Sequence, residues 1–139
     1  MSKRGLHLYK RLALTTLTAV IGLGGAAQAD MHAAGPVYGG SSQAGGVISC
    51  RVFNFGNAVT FTSHQIFDSS NATVTPTFDS CGASLGSGLS CVYGAQPISG
   101  TLAYSCRVID GSTSSSLSGA AEIQNPAGTA VLFSLPLVH

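Results

Sequence analysis

The strongest constraint on the fold is the placement of four cysteines, Cys50, Cys81, Cys91 and Cys106, in a chain of 139 residues. An even cysteine count in a small exported domain predicts two disulfides, and four cysteines allow three pairings. Cys50 and Cys106 lie in alternating apolar runs, whereas Cys81 and Cys91 flank a Gly/Ser-rich segment that turns easily. We therefore expect the nested pairs Cys50–Cys106 and Cys81–Cys91. A zinc site is the weaker alternative, because the chain has no C-x-x-C pair and no histidine close to a cysteine in sequence.

Short runs of β-branched and aromatic residues, separated by Gly, Asn, Asp and Ser, fill the chain from residue 47 onward. The strand candidates are Val47–Phe55, Ala58–Phe67, Ala72–Phe78, Leu89–Tyr93, Thr101–Ile109, Ser116–Ile123 and Thr129–Leu135. No stretch keeps a 3.6-residue apolar period, which argues against helices. About seven strands at spacings near ten residues predict an all-β fold, a single antiparallel β-sandwich over residues 47–139.

The first 29 residues have the composition of a signal peptide. Four basic residues lie among the first eleven, an apolar run covers residues 12–27, and Ala27-Gln28-Ala29 supplies the small-x-small pattern of a cleavage site. The predicted mature chain starts at Asp30 and is exported to the periplasm or the extracellular space. Its first segment, residues 30–46, is rich in Gly, Ala and Ser and is expected to be a flexible arm.

Leader removal changes the electrostatics of the chain. Residues 30–139 keep two arginines against five acidic residues, a net charge of −3 with histidine neutral. Such a chain lacks the basic surface that binds nucleic acid or an anionic membrane. No second apolar run reaches the roughly 18 residues of a spanning helix, so we expect no membrane insertion after cleavage.

One feature of the cysteine spacing resembles a known family. Cys50 lies in an apolar strand, Cys106 follows 56 residues later, and Tyr104 precedes it by two positions. Over Val47–Ile109 the chain resembles the immunoglobulin-like sandwiches, in which such cysteines bridge the two sheets and such a tyrosine bonds to nearby backbone. The family's core tryptophan is absent, and Phe61 lies near its place. The resemblance implies a fold and no particular function.

The mature N-terminus suggests a metal site. Cleavage after Ala29 exposes Asp30-Met31-His32, which resembles the amino-terminal copper and nickel motif of other proteins. In that motif the amine, two deprotonated backbone amides and a His32 nitrogen form four in-plane ligands, the geometry that Cu(II) and Ni(II) prefer. We expect no other cofactor.

A serine hydrolase is the remote alternative. Gly82 to Gly86 matches G-x-S-x-G, with Ser84 as the nucleophile. His64 is the only core histidine that could act as a base, with Asp68 or Asp79 to orient it. That motif requires a larger α/β sheet. His64 is expected to point outward if Val59 and Phe61 point inward.

Three aspartates, Asp68, Asp79 and Asp110, each follow a strand candidate and precede Ser or Gly. Aspartates at such positions cap turns, so we expect turn roles rather than catalytic ones.

These observations favour an exported, non-enzymatic β-sandwich that acts as a binding or surface structural module. Its expected partner is an unknown protein or surface ligand. Self-association is also possible, because the strand edges have few charged residues to prevent pairing with another chain. A Cu(II)/Ni(II)-binding protein using Asp30, Met31 and His32 is the alternative.

Overall fold

The computed structural model describes residues 29–112 and 116–139. The predicted signal peptide, apart from Ala29, lies outside the described residues. The described part is nearly all β-structure, with ten strands, one short 3-10 helix and no α-helix. The elements are β1 Asp30–Val37, the 3-10 helix Gly40–Gln43, β2 Val47–Asn54, β3 Val59–Asp68, β4 Thr73–Val74, β5 Phe78–Asp79, β6 Ser84–Leu85, β7 Ser90–Ala95, β8 Tyr104–Asp110, β9 Leu117–Gln124 and β10 Val131–Pro136.

The strands form two antiparallel sheets, which confirms the predicted all-β class. The first sheet has the order β1-β8-β3-β4, with β6 also paired to β3. The second has the order β10-β9-β2-β7-β5. Their inward side chains make one core in a sandwich-like arrangement.

Both predicted disulfides are present. Cys50 on β2 and Cys106 on β8 are fully buried and bonded to each other, so this disulfide joins the two sheets through the core. Cys81 and Cys91 are bonded across the segment that leads into β7. No described cysteine is free. Two disulfides are typical of an oxidising, exported environment.

The segment expected to be a flexible arm contains ordered structure, which corrects that prediction. Residues 30–37 form β1 at the edge of the first sheet, paired to β8, and residues 40–43 form the 3-10 helix. The inward positions of β1 are His32, Ala34 and Val37. A histidine and an alanine give no apolar period, so the sequence pattern of this strand was too weak to recognise.

The candidate strand Ala72–Phe78 divides into two short strands in different sheets. β4 pairs with β3 in the first sheet, and β5 pairs with β7 in the second. Pro76 lies between them. Because proline lacks the N–H that a ladder needs, the chain changes sheets at this point instead of continuing as one strand.

The residues after β10 close one side of the sandwich. Leu137 donates its N–H to the Gly119 carbonyl of β9 at 2.9 Å. Val138 and Ala33 of β1 exchange two backbone hydrogen bonds, of 2.9 and 2.8 Å. The chain thus runs from the second sheet to the edge of the first and delivers His139 beside the start of β1. Within the described ranges, none of the elements is a helix of the length and apolarity that crossing a membrane requires.

Candidate functional site

Two histidines and two aspartates meet where β1, the end of β8 and the residues after β10 come together. Asp30 and His32 are two positions apart on β1 and therefore face the same side. Asp30 lies opposite Asp110 in the ladder between β1 and β8. The bridge between Val138 and Ala33 then brings His139 to the same place. We call Asp30, His32, Asp110 and His139 the β1 cluster.

The atoms of the β1 cluster lie at ion-pair distances. The His32 Nε2 atom is 3.6 Å from Asp30 Oδ2 and 3.6 Å from Asp110 Oδ2. The His139 Nε2 atom contacts Asp30 Oδ1. One ligand atom from each of Asp30, His32 and His139 lies within 4.8 Å of the others. The two imidazole rings meet edge to face at 5.2 Å.

Burial differs across the cluster. The side chains of His32 and Asp110 are buried, that of Asp30 is almost so, and that of His139 is 69% exposed. The cluster therefore has a buried floor and one side that opens to solvent at His139.

The two carboxylate oxygens of Asp110 have different roles, one in a turn and one in the β1 cluster. Its Oδ1 accepts hydrogen bonds from the Ser112 N–H at 2.8 Å and the Ser112 hydroxyl at 2.6 Å, as expected of a turn cap. Its Oδ2 is buried, has no hydrogen-bond partner and faces His32. A buried carboxylate oxygen without a hydrogen bond is costly unless a positive group compensates its charge.

The planar chelate expected at Asp30-Met31-His32 stays a prediction, and the extended backbone of β1 has a different geometry from it. In an extended strand, successive backbone groups point in opposite directions, so consecutive amides cannot surround one ion. Met31 pairs with Ile109 and its side chain is exposed, on the face opposite to Asp30 and His32. The structure places Asp30 and His32 together and brings His139 and Asp110, but not Met31, to the same place.

A second cluster of polar side chains joins the two sheets. His64 Nε2 of β3 lies 2.6 Å from Asp79 Oδ2 of β5, and the His64 ring packs against Tyr93 of β7 at 5.0 Å. The Tyr93 hydroxyl donates to the Arg107 carbonyl at 3.0 Å, and burial raises the pKa of this phenol far above its ordinary value. Burial alone would raise the pKa of the Asp79 carboxyl, but His64 and the Cys81 N–H outweigh it and lower that pKa.

The outward orientation expected for His64 is wrong. A register shift lies between Phe61 and Ser63, where β3 pairs with β8. One additional residue at a bulge reverses the alternation of side chains along a strand. Phe61 before the bulge and Ile66 after it are both buried, and His64 faces Tyr93 rather than solvent.

Ser84 and His64 are not brought together. Ser84 lies on β6 opposite Thr60 of β3, four residues before His64. At the usual rise of a strand this separates the two side chains by about 13 Å. His64 Nε2 is instead occupied by Asp79.

The β1 cluster includes two residues that the sequence did not single out as ligands, His139 and Asp110. They lie 107 and 78 positions from His32 along the chain, so only the strand pairing and the crossing after β10 bring them together. Finding the cluster from the sequence would have required knowledge that residue 30 pairs with residue 110. Comparisons with protein-family models, curated proteins and solved structures gave no match.

Proposed function

We propose that this protein is an exported, non-enzymatic β-sandwich whose role is structural, and that it assembles with a second copy of itself through the edge of β10. Two disulfides support a protein made to persist outside the cytoplasm. The observation that carries the proposal is the open, uncharged edge of β10.

Among the described residues, β10 pairs with β9 alone and lies at the outer edge of its sheet. Val131, Leu132 and Phe133 are consecutive and all exposed. The register with β9 shifts between Val131 and Phe133, so this stretch is irregular, and its three apolar side chains are open to solvent. Proteins usually protect such an edge with lysine, proline or a bulge, because an apolar open edge pairs with other strands. β10 has the register shift and ends at Pro136, but it carries no lysine or other charge.

A second copy is the occupant that the charges favour. Residues 125–139 contain no Asp, Glu, Lys or Arg, so two β10 strands meet without like-charge repulsion although the mature chain is acidic overall. Antiparallel pairing of two identical edges is self-complementary about a two-fold axis. Pro136 ends the strand and limits the paired segment, because proline cannot donate to a further ladder.

Sedimentation of the purified, disulfide-bonded protein over a range of concentrations tests this assembly. We expect a dimer that the edge substitution Val131→Lys converts to monomer. Leu89→Lys is the matched control, because Leu89 is 57% exposed against 53% for Val131 and lies outside the β10 edge. A monomeric parent protein, or a dimer that Val131→Lys leaves intact, would refute the proposal.

The non-enzymatic part of the proposal has a separate test. A fluorophosphonate probe, which reacts with activated serines, is expected to leave the protein unlabelled, because His64, the base expected for Ser84, lies about 13 Å away. Labelling that disappears in Ser84→Ala would instead establish a serine nucleophile.

The immunoglobulin-like relationship is proposed for the central strands alone. It is supported by the cysteines, which lie on strands of opposite sheets, and by Tyr104, whose hydroxyl accepts a hydrogen bond from the Ser99 N–H at 2.8 Å. The outer strands differ from that family, in which the strand after the second cysteine lies beside it. Here β1 takes that position beside β8, and β9 lies beside β2.

A further inference from the structure

We propose that the β1 cluster is a binding site for one Zn²⁺ ion, with Asp30, His32 and His139 as ligands and Asp110 as the fourth. This inference is independent of the assembly through β10. It differs from the amino-terminal chelate because it requires the folded sandwich and uses no backbone amide.

The donor atoms of the β1 cluster suit zinc. Two imidazole nitrogens and two carboxylate oxygens are ligands that zinc binds in proteins. They come from three parts of the chain, β1, the end of β8 and the segment after β10. None of the four ligands belongs to a local sequence motif other than the pair Asp30 and His32.

The spacing of those atoms also suits zinc. Ligands at about 2.0–2.1 Å from a tetrahedral ion are about 3.4 Å from one another. His32 Nε2 lies 3.6 Å from each of two carboxylate oxygens, Asp30 Oδ2 and Asp110 Oδ2. These separations are close to the edge of a tetrahedron. The exposed side chain of His139, which contacts Asp30 Oδ1, completes it with a small adjustment.

The buried carboxylate of Asp110 lacks a compensating hydrogen bond on one of its oxygens. Its Oδ2 is fully buried, has no hydrogen-bond partner and points into the cluster. The described arginines are engaged elsewhere, Arg51 with Glu122 and Arg107 over the Phe67 ring. A divalent cation at the cluster would therefore supply the positive charge that this buried oxygen requires.

Access and orientation also fit an ion. His139 is exposed and forms the outer side of the cluster, so an ion reaches the buried ligands from solvent without opening the core. The Ser112 N–H and hydroxyl hold the other oxygen of Asp110 and fix the carboxyl plane, as outer groups do for metal-ligating carboxylates.

Calorimetric titration of the disulfide-bonded protein with Zn²⁺ at neutral pH, after removal of metal with a chelator, tests the site. We expect one ion per chain and a rise in melting temperature with added zinc, because zinc binds the folded state. His139→Ala should weaken zinc binding at least about 10-fold and abolish the rise in melting temperature. Because His139 is exposed, this variant is expected to fold, which the far-ultraviolet circular dichroism spectrum checks.

Two further variants test which side chains bind the zinc ion. Asp110→Asn keeps the size of the side chain and should also weaken zinc binding. His64→Ala removes an imidazole outside the β1 cluster and should leave zinc binding unchanged. Failure to bind one zinc ion, or binding that His139→Ala does not weaken, would overturn the proposal. Binding that also persists in the disulfide-bonded, urea-unfolded chain would assign the metal to the amino-terminal chelate instead.

Discussion

His64 and Asp79 connect the two sheets by a hydrogen bond of 2.6 Å between the imidazole Nε2 and the carboxylate Oδ2. His64 belongs to β3 of the first sheet and Asp79 to β5 of the second. Asp79 uses its other oxygen to cap a turn by accepting the Cys81 N–H at 2.8 Å. Asp79 and Asp110 therefore share one arrangement, in which one oxygen caps a turn and the other faces a histidine.

The contact between His64 and Asp79 predicts a pH-dependent contribution to stability. Burial raises the pKa of the Asp79 carboxyl, but the hydrogen bonds from His64 and Cys81 lower it overall below its ordinary value. Because the folded pKa lies below the unfolded one, the contribution is complete above about pH 4. It is lost as the pH falls through the folded pKa. Asp79→Asn should therefore destabilise the protein at pH 7 by about 1 kcal/mol or less, and this difference should shrink towards pH 2.

Urea unfolding of the parent, Asp79→Asn, His64→Ala and the double variant measures this coupling at each pH. A direct interaction makes the double variant less destabilised than the sum of the two single variants. Effects that add at pH 7 would show that the contact contributes nothing to stability.

The two disulfides should contribute unequally to stability. In the chain-entropy model, a bond that closes 56 residues is worth about 4 kcal/mol and one that closes 10 residues about 3 kcal/mol. We therefore expect the double alanine variant of Cys50 and Cys106 to lose more unfolding free energy than that of Cys81 and Cys91. The former also leaves space in the middle of the core, which adds to the loss. Urea unfolding of both variants decides the order, and a larger loss for the short loop would contradict this account.

Tyr104→Phe tests the hydrogen bond beside the inter-sheet disulfide. Tyr104 is buried, and removing its hydroxyl leaves the Ser99 N–H without its acceptor. An unsatisfied donor of this kind costs about 1–3 kcal/mol. Tyr38→Phe is the control, because the Tyr38 hydroxyl is exposed and donates to the Gly100 carbonyl at 3.3 Å. If both variants lost the same unfolding free energy, the buried Tyr104 hydrogen bond would contribute no more to stability than the exposed Tyr38 one.

The sequence predicted those parts of the fold that depend on local pattern. Alternating residues around Cys50 and Cys106 identified β2 and β8, and the same alternation indicated which cysteines meet in the core. Turn positions were also readable, since Asp68 accepts hydrogen bonds from Ser70 and Ala72 as a turn cap does. In each case a few neighbouring residues determine the structure, so a single sequence suffices.

What the sequence did not predict depends on pairing between distant strands. β1 has small and polar inward residues and is held in the sheet by its ladder with β8. The bulge in β3 turns His64 towards Tyr93, and the residue types around it do not indicate that a bulge is there. Arg51 and Arg107, which follow the two cysteines, lie on different sheets because the disulfide joins opposite sheets. The β1 cluster is a feature of the same kind. Only the strand topology distinguishes its side chains from ordinary polar residues.

Gln43 offers a further test of a structure that the sequence did not indicate. Its fully buried side chain donates to the Ser99 carbonyl at 2.6 Å and the Leu102 carbonyl at 2.5 Å, and it accepts the Gly39 N–H at 2.6 Å. One amide thus ties the 3-10 helix to the segment before β8. Gln43→Leu fills a similar volume but leaves three backbone groups without this partner, which should cost about 3 kcal/mol.

Ser41→Ala is the matched control for Gln43→Leu, because Ser41 is an exposed residue of the same 3-10 helix. Its unfolding free energy in urea should stay within about 0.5 kcal/mol of the parent value. If Gln43→Leu were equally mild, water or the backbone itself would have to satisfy the three groups. The segment before β8 would then be held by Tyr104 and its bond to Ser99 rather than by the glutamine, and combining Tyr104→Phe with Gln43→Leu would reveal that redundancy as a loss larger than the sum of the two.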